Sequence, residues 1–188
     1  LKFETNGQTF GRVITINLNQ SSNKYYTFNL TYLNFDFKTD ADDAFLLPQS
    51  SYDLSGEYAP PSWQSRHRVF INSNINLPLE LKAAVSFNFA TGTPFNITTG
   101  RDNNSDGNFN DRPNIADATT LDTIITRLGN FNPNVINGNL PRNFGTNPTN
   151  ITANLNLSRT FDFGKKDAKG VGANKLAANI RVNNLLNR

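Results

Sequence analysis

Residues 91–114 read TGTPFNITTGRDNNSDGNFNDRPN, and within them Asp102, Asn104 and Asp106 stand two apart, followed directly by Gly107. Alternate oxygens at this spacing, ahead of a glycine that permits a sharp turn, form the first half of a loop that wraps a hard cation. Ca²⁺ takes six to eight oxygen ligands. Asp102, Asn104, Asp106, the Asn108 carbonyl and Asp111 offer five or six, with water to complete the shell. The second half of the pattern is broken, because Pro113 stands where a bidentate glutamate is expected. Asn-Asp-Gly text is also ordinary turn chemistry. From the residues alone both readings stay open.

No other residue set adds a reactive centre. His67, the sole histidine, lies between Arg66 and Arg68, and the chain contains no cysteine. One imidazole without further strong ligands does not make a zinc site, and without cysteine there is neither thiolate nor disulfide. No nucleophile motif accompanies His67 and no glycine pattern cradles phosphate, so no enzymatic activity is expected. The formal charge of +3 is mild. Lys165, Lys166, Lys169 and Lys175 are read as a solvated turn, with no nucleic-acid partner.

The elements that must carry the loop are strands. Period-two alternation recurs along the chain. In TFGRVITINLNQ, Phe10, Ile14, Ile16 and Leu18 share a face opposite Val13, Thr15, Asn17 and Asn19. In YYTFNLTYLNFDFK, Tyr26, Phe28, Leu30 and Tyr32 oppose Thr27, Asn29 and Thr31, after which Leu33, Phe35 and Phe37 shift the phase. That slip suggests a bulge or a membrane exit. RVFINSNINL, LKAAVSFNFATG, ITANLNLSRTF and KLAANIRVNN supply four further strands, and residues 1–5 read as the end of an earlier one. Helical periodicity is confined to a turn or two within residues 116–129.

The connections alternate in length: 20–24 short, 39–65 long, 77–80 short, 100–150 very long, 163–174 moderate. Strands of about ten residues joined by short turns at one end and long loops at the other form the outer-membrane barrel pattern. Soluble strands are usually about 5–6 residues. No apolar run approaches the ~20 residues of a membrane helix, and the mean hydropathy of −0.50 is uninformative for barrels, whose strands are only half apolar. The polar face is Asn, Ser and Thr, which suits a wetted lumen. Tyr25, Tyr26, Tyr32, Phe35 and Phe37 fall near strand ends, where an aromatic girdle would lie. The alternative for these aromatics is core filling in a soluble β domain. The fold class expected is all-β, an antiparallel up-and-down meander forming a partial, open transmembrane β-barrel wall with long outer loops.

Several stretches then carry a resemblance. SWQSRHRVFINSNINLPLEL, GTPFNITTGRDNNSDGNFNDRPN, LPRNFGTNPTNITANLNLSRTFDFG and NIRVNNLLNR resemble the C-terminal barrel region of TonB-dependent outer-membrane receptors, closest to the Oar-like group. The final NNLLNR is similar to an Asn-Leu-Phe-Asn-Arg signature, with Leu186 where Phe is commoner. The resemblance implies a 22-stranded barrel filled by a plug domain and energised by the TonB complex. Residues 1–188 are thus expected to be a single barrel fragment, about a third of the whole, with plug and final strands supplied elsewhere in the parent. It further implies location in the cell outer membrane with the long loops extracellular, uptake of an unidentified bulky nutrient, and contact with outer-membrane lipid. Arg66 and Arg68 would anchor the rim or meet lipopolysaccharide phosphate there. The alternative function is a non-transporting outer-membrane or secreted β protein that binds through the same Asn-rich loops.

Overall fold

The computed structural model describes residues 7–21, 23–43, 45–117, 121–166 and 172–186, and every helix or strand element among them is a strand. In chain order these are β1 (Thr9–Gln20), β2 (Tyr26–Thr39), β3 (His67–Asn76), β4 (Leu81–Ala90), β5 (Pro94–Phe95), β6 (Asn114–Ile115), β7 (Ile124–Thr126), β8 (Gly129–Asn132), β9 (Gly145–Thr146), β10 (Asn150–Lys166) and β11 (Gly172–Val182). The six long strands make one sheet in the order β1-β2-β3-β4-β10-β11. Pairing from β2 through β11 is antiparallel. The fold is all-β, and among the described residues the end strands β1 and β11 do not pair to close the sheet. The chain divides into two compact units. One comprises Leu1–Val13, Phe35–Arg66 and Gly92–Pro148; the other comprises Ile14–Asn34, His67–Thr91 and Thr149–Arg188. The first is rich in loops, and the second is mostly sheet.

In the sheet unit the alternation of each strand is aligned with that of its neighbours. Leu30 lies opposite Ile71, Ile71 opposite Phe87, and Phe87 opposite Ala153. A second apolar row runs Tyr26, Ile75, Ala83, Leu157, Ile180. The reverse face carries Asn29, Asn72, Ser86 and Asn154 in one row, and Thr27, Asn74, Ala84, Asn156 and Arg181 in another. Because directly opposed residues share a face, this register makes one face mainly apolar, with Ser73 set between Phe28 and Val85, and the other mainly amide and hydroxyl, with Phe70 set between Thr31 and Asn88. The polar side chains bond across strands: Asn154 Nδ2 donates to Ser86 Oγ at 3.1 Å, and Thr31 Oγ1 to Asn17 Oδ1 at 2.8 Å.

On the apolar face the side chains of β3 and β4 are mostly half-buried, and those of the outer strands are exposed. Ala83 is the one buried residue among the described residues of the six long strands. On the outer strands Leu18 is 55 % exposed and Ile180 65 % exposed. A sheet in a soluble sandwich buries its inner face beneath a second layer. Each Leu or Ile left in water forgoes about 1.5–3 kcal/mol.

The structure corrects several expectations. The phase slip at Leu33 is not a bulge against β3, with which β2 pairs without interruption from Tyr26 to Asn34. The preferred face changes where the strand passes into the loop-rich unit, in which Phe37 meets the Trp63 ring edge-on at 5.4 Å and its backbone N–H donates to Gln64 Oε1. Residues 124–132 are not helical: β7 and β8 form a small antiparallel pair, as β-branched Ile124 and Ile125 favour. The last connection, expected over 163–174, is shorter than expected, because β10 and β11 pair out to Lys166 and Gly172, with a register shift after Phe163. The expected strand at residues 1–5, Lys169 and the end of NNLLNR lie outside the described residues, as do the side chains of Lys165 and Lys166.

The loop-rich unit holds two small sheets, β5 with β9 and β6-β8-β7. The chain redirects after Ala90, where β4 ends, and Asn147 N donates to Thr93 O at 2.9 Å. The buried apolar residues described here are few: Ala59, Pro61, Pro113, Phe131 and Leu140. Phe131 packs edge-on against Phe144 at 6.1 Å. Most of the unit's buried residues are polar or charged.

Candidate functional site

The Asp102 loop is built by its own side chains. Asp102 accepts from two backbone N–H groups, that of Asp106 on Oδ1 and that of Gly107 on Oδ2, each at 3.0 Å. Asn104 Oδ1 also accepts from Asp106 N at 3.0 Å. Asp106 Oδ1 accepts from Asn108 N at 2.9 Å and from Asn108 Nδ2 at 3.1 Å. Gly107 has φ +87°, a conformation that costs a side-chain-bearing residue but not glycine. Asp111 returns to close the turn, its Oδ2 accepting from Asn103 N at 2.5 Å and Asn104 N at 3.2 Å. The five residues singled out in the sequence, Asp102, Asn104, Asp106, Asn108 and Asp111, are therefore joined by hydrogen bonds in one loop.

Amide side chains fix this loop to neighbouring segments of the same unit. Asn104 Nδ2 donates to Gln49 O at 2.8 Å, Asn110 Nδ2 to the Leu47 and Pro48 carbonyls, and Asn103 Nδ2 to those of Pro133 and Val135. Amides are suited to this, since each offers two donors and an acceptor. Asp111 is completely buried. Asp106 Oδ2, Asn110 Oδ1 and Asp111 Oδ1 are buried and accept no hydrogen bond. Among the described residues no three carboxylate or imidazole groups converge as a cluster, so any cation here would be held by a mixed set of carboxylate and amide oxygens.

Close by in the same unit lies a buried ionic centre that the sequence did not suggest. Arg112 Nη1 is 2.8 Å from Glu57 Oε1, and both side chains are 4 % exposed. Arg142 Nη1 is 2.6 Å from Asp42 Oδ1, and its Nε is 3.6 Å from Glu57 Oε2. The guanidiniums also donate to carbonyls: Arg112 to Leu140 and Gly56, Arg142 to Glu57 and Thr39. Gln49 N completes the shell of Glu57 at 3.1 Å. Burial alone would raise the Asp42 carboxyl, but hydrogen bonds from Asn143 and Arg142, with the Arg142 charge, outweigh it and hold the group below its ordinary 3.8. Gly138 is required beside Arg112, because a Cβ there would stand 1.8 Å from the Arg112 carbonyl oxygen. Since Arg112 follows Asp111 directly, the ionic centre also fixes the end of the Asp102 loop.

His67 is structural in its contacts. Its Nδ1 lies 2.9 Å from the Tyr32 hydroxyl and 3.2 Å from Asn34 Nδ2, and the Tyr32 and His67 rings stack at 6.1 Å. On the polar face of the sheet unit, Asn72, Asn74, Ser86, Asn154, Asn156 and Arg181 line a depression of about 370 Å³. No family model, curated protein or solved structure matches this chain.

Proposed function

We propose that this chain forms part of the wall and outer loops of a TonB-dependent outer-membrane receptor that imports a bulky nutrient. One observation carries the reading: apolar rows run in register across the sheet, half-buried at its centre and exposed on its outer strands, opposite in-register rows rich in Asn, Ser and Thr. Such a sheet matches two media at once, hydrocarbon on the Ile71 face and a hydrated lumen on the Asn72 face. The resemblance of the loop and strand motifs to this receptor class supports the same reading. In it, lipid contacts Ile71, Ile75, Val85 and Phe87, while Arg66 and Arg68 meet lipopolysaccharide phosphate. The two long connections stand outside the cell, where they help to capture the ligand. The plug domain and its TonB contact belong to the rest of the parent protein.

Parity makes this testable. Antiparallel strands joined by alternating short and long links place both long links at one end of the sheet. Epitope tags at exposed Tyr52 and exposed Leu121 should both be reached by antibody on intact cells, and a tag within 77–80 only after permeabilisation. A tag at Tyr52 or Leu121 that needs permeabilisation would contradict the proposal.

A further inference from the structure

We infer that residues 102–111 bind a calcium ion, held by Asp106 Oδ2, Asn110 Oδ1 and Asp111 Oδ1, with Asp102 and Asn104 shaping the turn. This goes beyond the membrane reading and does not rest on it. The spacing of the acidic residues alone would not be sufficient. The independent observation is Asp111, which is wholly buried and leaves Oδ1 without a hydrogen-bond donor. Its other oxygen is held by the N–H groups of Asn103 and Asn104. These residues follow Asp102 directly, so the carboxylate lies against the turn. A buried charge needs either a counter-charge or a full set of donors. None of Asp102, Asp106 and Asp111 has an ion-pair partner among the described residues. Both nearby cations are engaged elsewhere: Arg112 pairs with Glu57, and Arg101 donates to Asn134.

The three unpartnered atoms are all oxygens and all acceptors, the donor set of a hard cation. Two come from carboxylates and one from an amide, with no nitrogen or sulfur ligand, which disfavours zinc. A loop of irregular backbone suits Ca²⁺, which tolerates variable geometry, better than Mg²⁺, which demands a near-regular octahedron. Asp102 and Asn104 have their carboxylate and amide oxygens turned onto backbone N–H groups. Their role is thus to fix the turn that presents Asp106. The missing glutamate at position 113 is replaced in function by Asp111, which approaches from within the same loop.

Calorimetric titration of CaCl₂ into the purified protein should show saturable binding, with a dissociation constant of about 10⁻⁴–10⁻³ M or tighter. Exposed Arg101 gives a local readout. Trypsin cleavage after it should slow at least tenfold in Ca²⁺, and much less in equal Mg²⁺. Asp106→Asn and Asp111→Asn should each weaken binding tenfold or more. Absence of both heat and protection in the unmodified protein at about 10 mM Ca²⁺ overturns the inference, whether or not the variants fold. So does equal protection by Mg²⁺, or unchanged binding in both variants.

Discussion

Replacing Glu57 by Ala tests whether a buried ionic centre, rather than an apolar core, holds the loop-rich unit together. Glu57 is 3 % exposed and faces two guanidiniums, with Arg112 at 2.8 Å and Arg142 at 3.6 Å. Arg142 retains Asp42 after the change, but Arg112 loses its only carboxylate among the described residues. It would be left buried with two carbonyl acceptors, those of Leu140 and Gly56. Breaking one side of a buried ion pair costs about 3–5 kcal/mol, and loss of the Gln49 N–H contact adds about 1 kcal/mol. At 1.36 kcal/mol per decade, amide exchange governed by opening of this unit should accelerate by roughly three to four decades. Hydrogen exchange read by mass spectrometry over residues 94–146 would measure it, with the β3 and β4 amides as reference. Glu57→Leu combined with Arg112→Met should recover much of the loss, because an apolar pair of similar volume substitutes well for a buried ion pair. An acceleration below threefold for Glu57→Ala would refute the argument that this pair holds the unit.

Two further outcomes concern the same unit. Asp42 has a folded pKa held below 3.8, so its contribution is fully present above the unfolded value. It is lost as pH falls from about 4 through the folded value; exchange protection should follow that course, and Asp42→Asn should flatten it. Gly138→Ala forces a methyl to within 1.8 Å of the Arg112 carbonyl oxygen and 2.5 Å of that of Pro113. Backbone cannot yield cheaply there, and thermal or denaturant unfolding should register a loss of about 1–3 kcal/mol or more.

The parts of this molecule legible in its sequence are those written locally. Alternation placed the six long strands because each strand's faces are decided by its own text, and Ile71 beside Asn72 needs no distant partner to be read. The Asp102 turn was legible for the same reason, since Asp102, Asn104 and Asp106 bond to backbone within five residues. The ionic centre was not. Arg142 meets Asp42 a hundred positions away in the chain, and nothing near either residue signals burial. Asn110 was overlooked because its role depends on Leu47 and Pro48. At Leu33 the pattern was visible but its cause was not. A change of face reads like a bulge until Trp63 and Gln64 are seen to take over the packing of Phe37.

The central claim is that the apolar face meets lipid, and the absence of cysteine from these 188 residues lets each introduced cysteine stand alone within this segment. Single cysteines at Ile71, Phe87, Asn72 and Ser86 would be challenged with a small membrane-impermeant maleimide and with a lipid-soluble one, in outer membranes containing the assembled protein. The account predicts that Ile71 and Phe87 react with the lipid-soluble reagent and resist the aqueous one, and that Asn72 and Ser86 do the reverse. Aqueous labelling of the Ile71 and Phe87 positions as fast as that of Asn72 and Ser86 would contradict it.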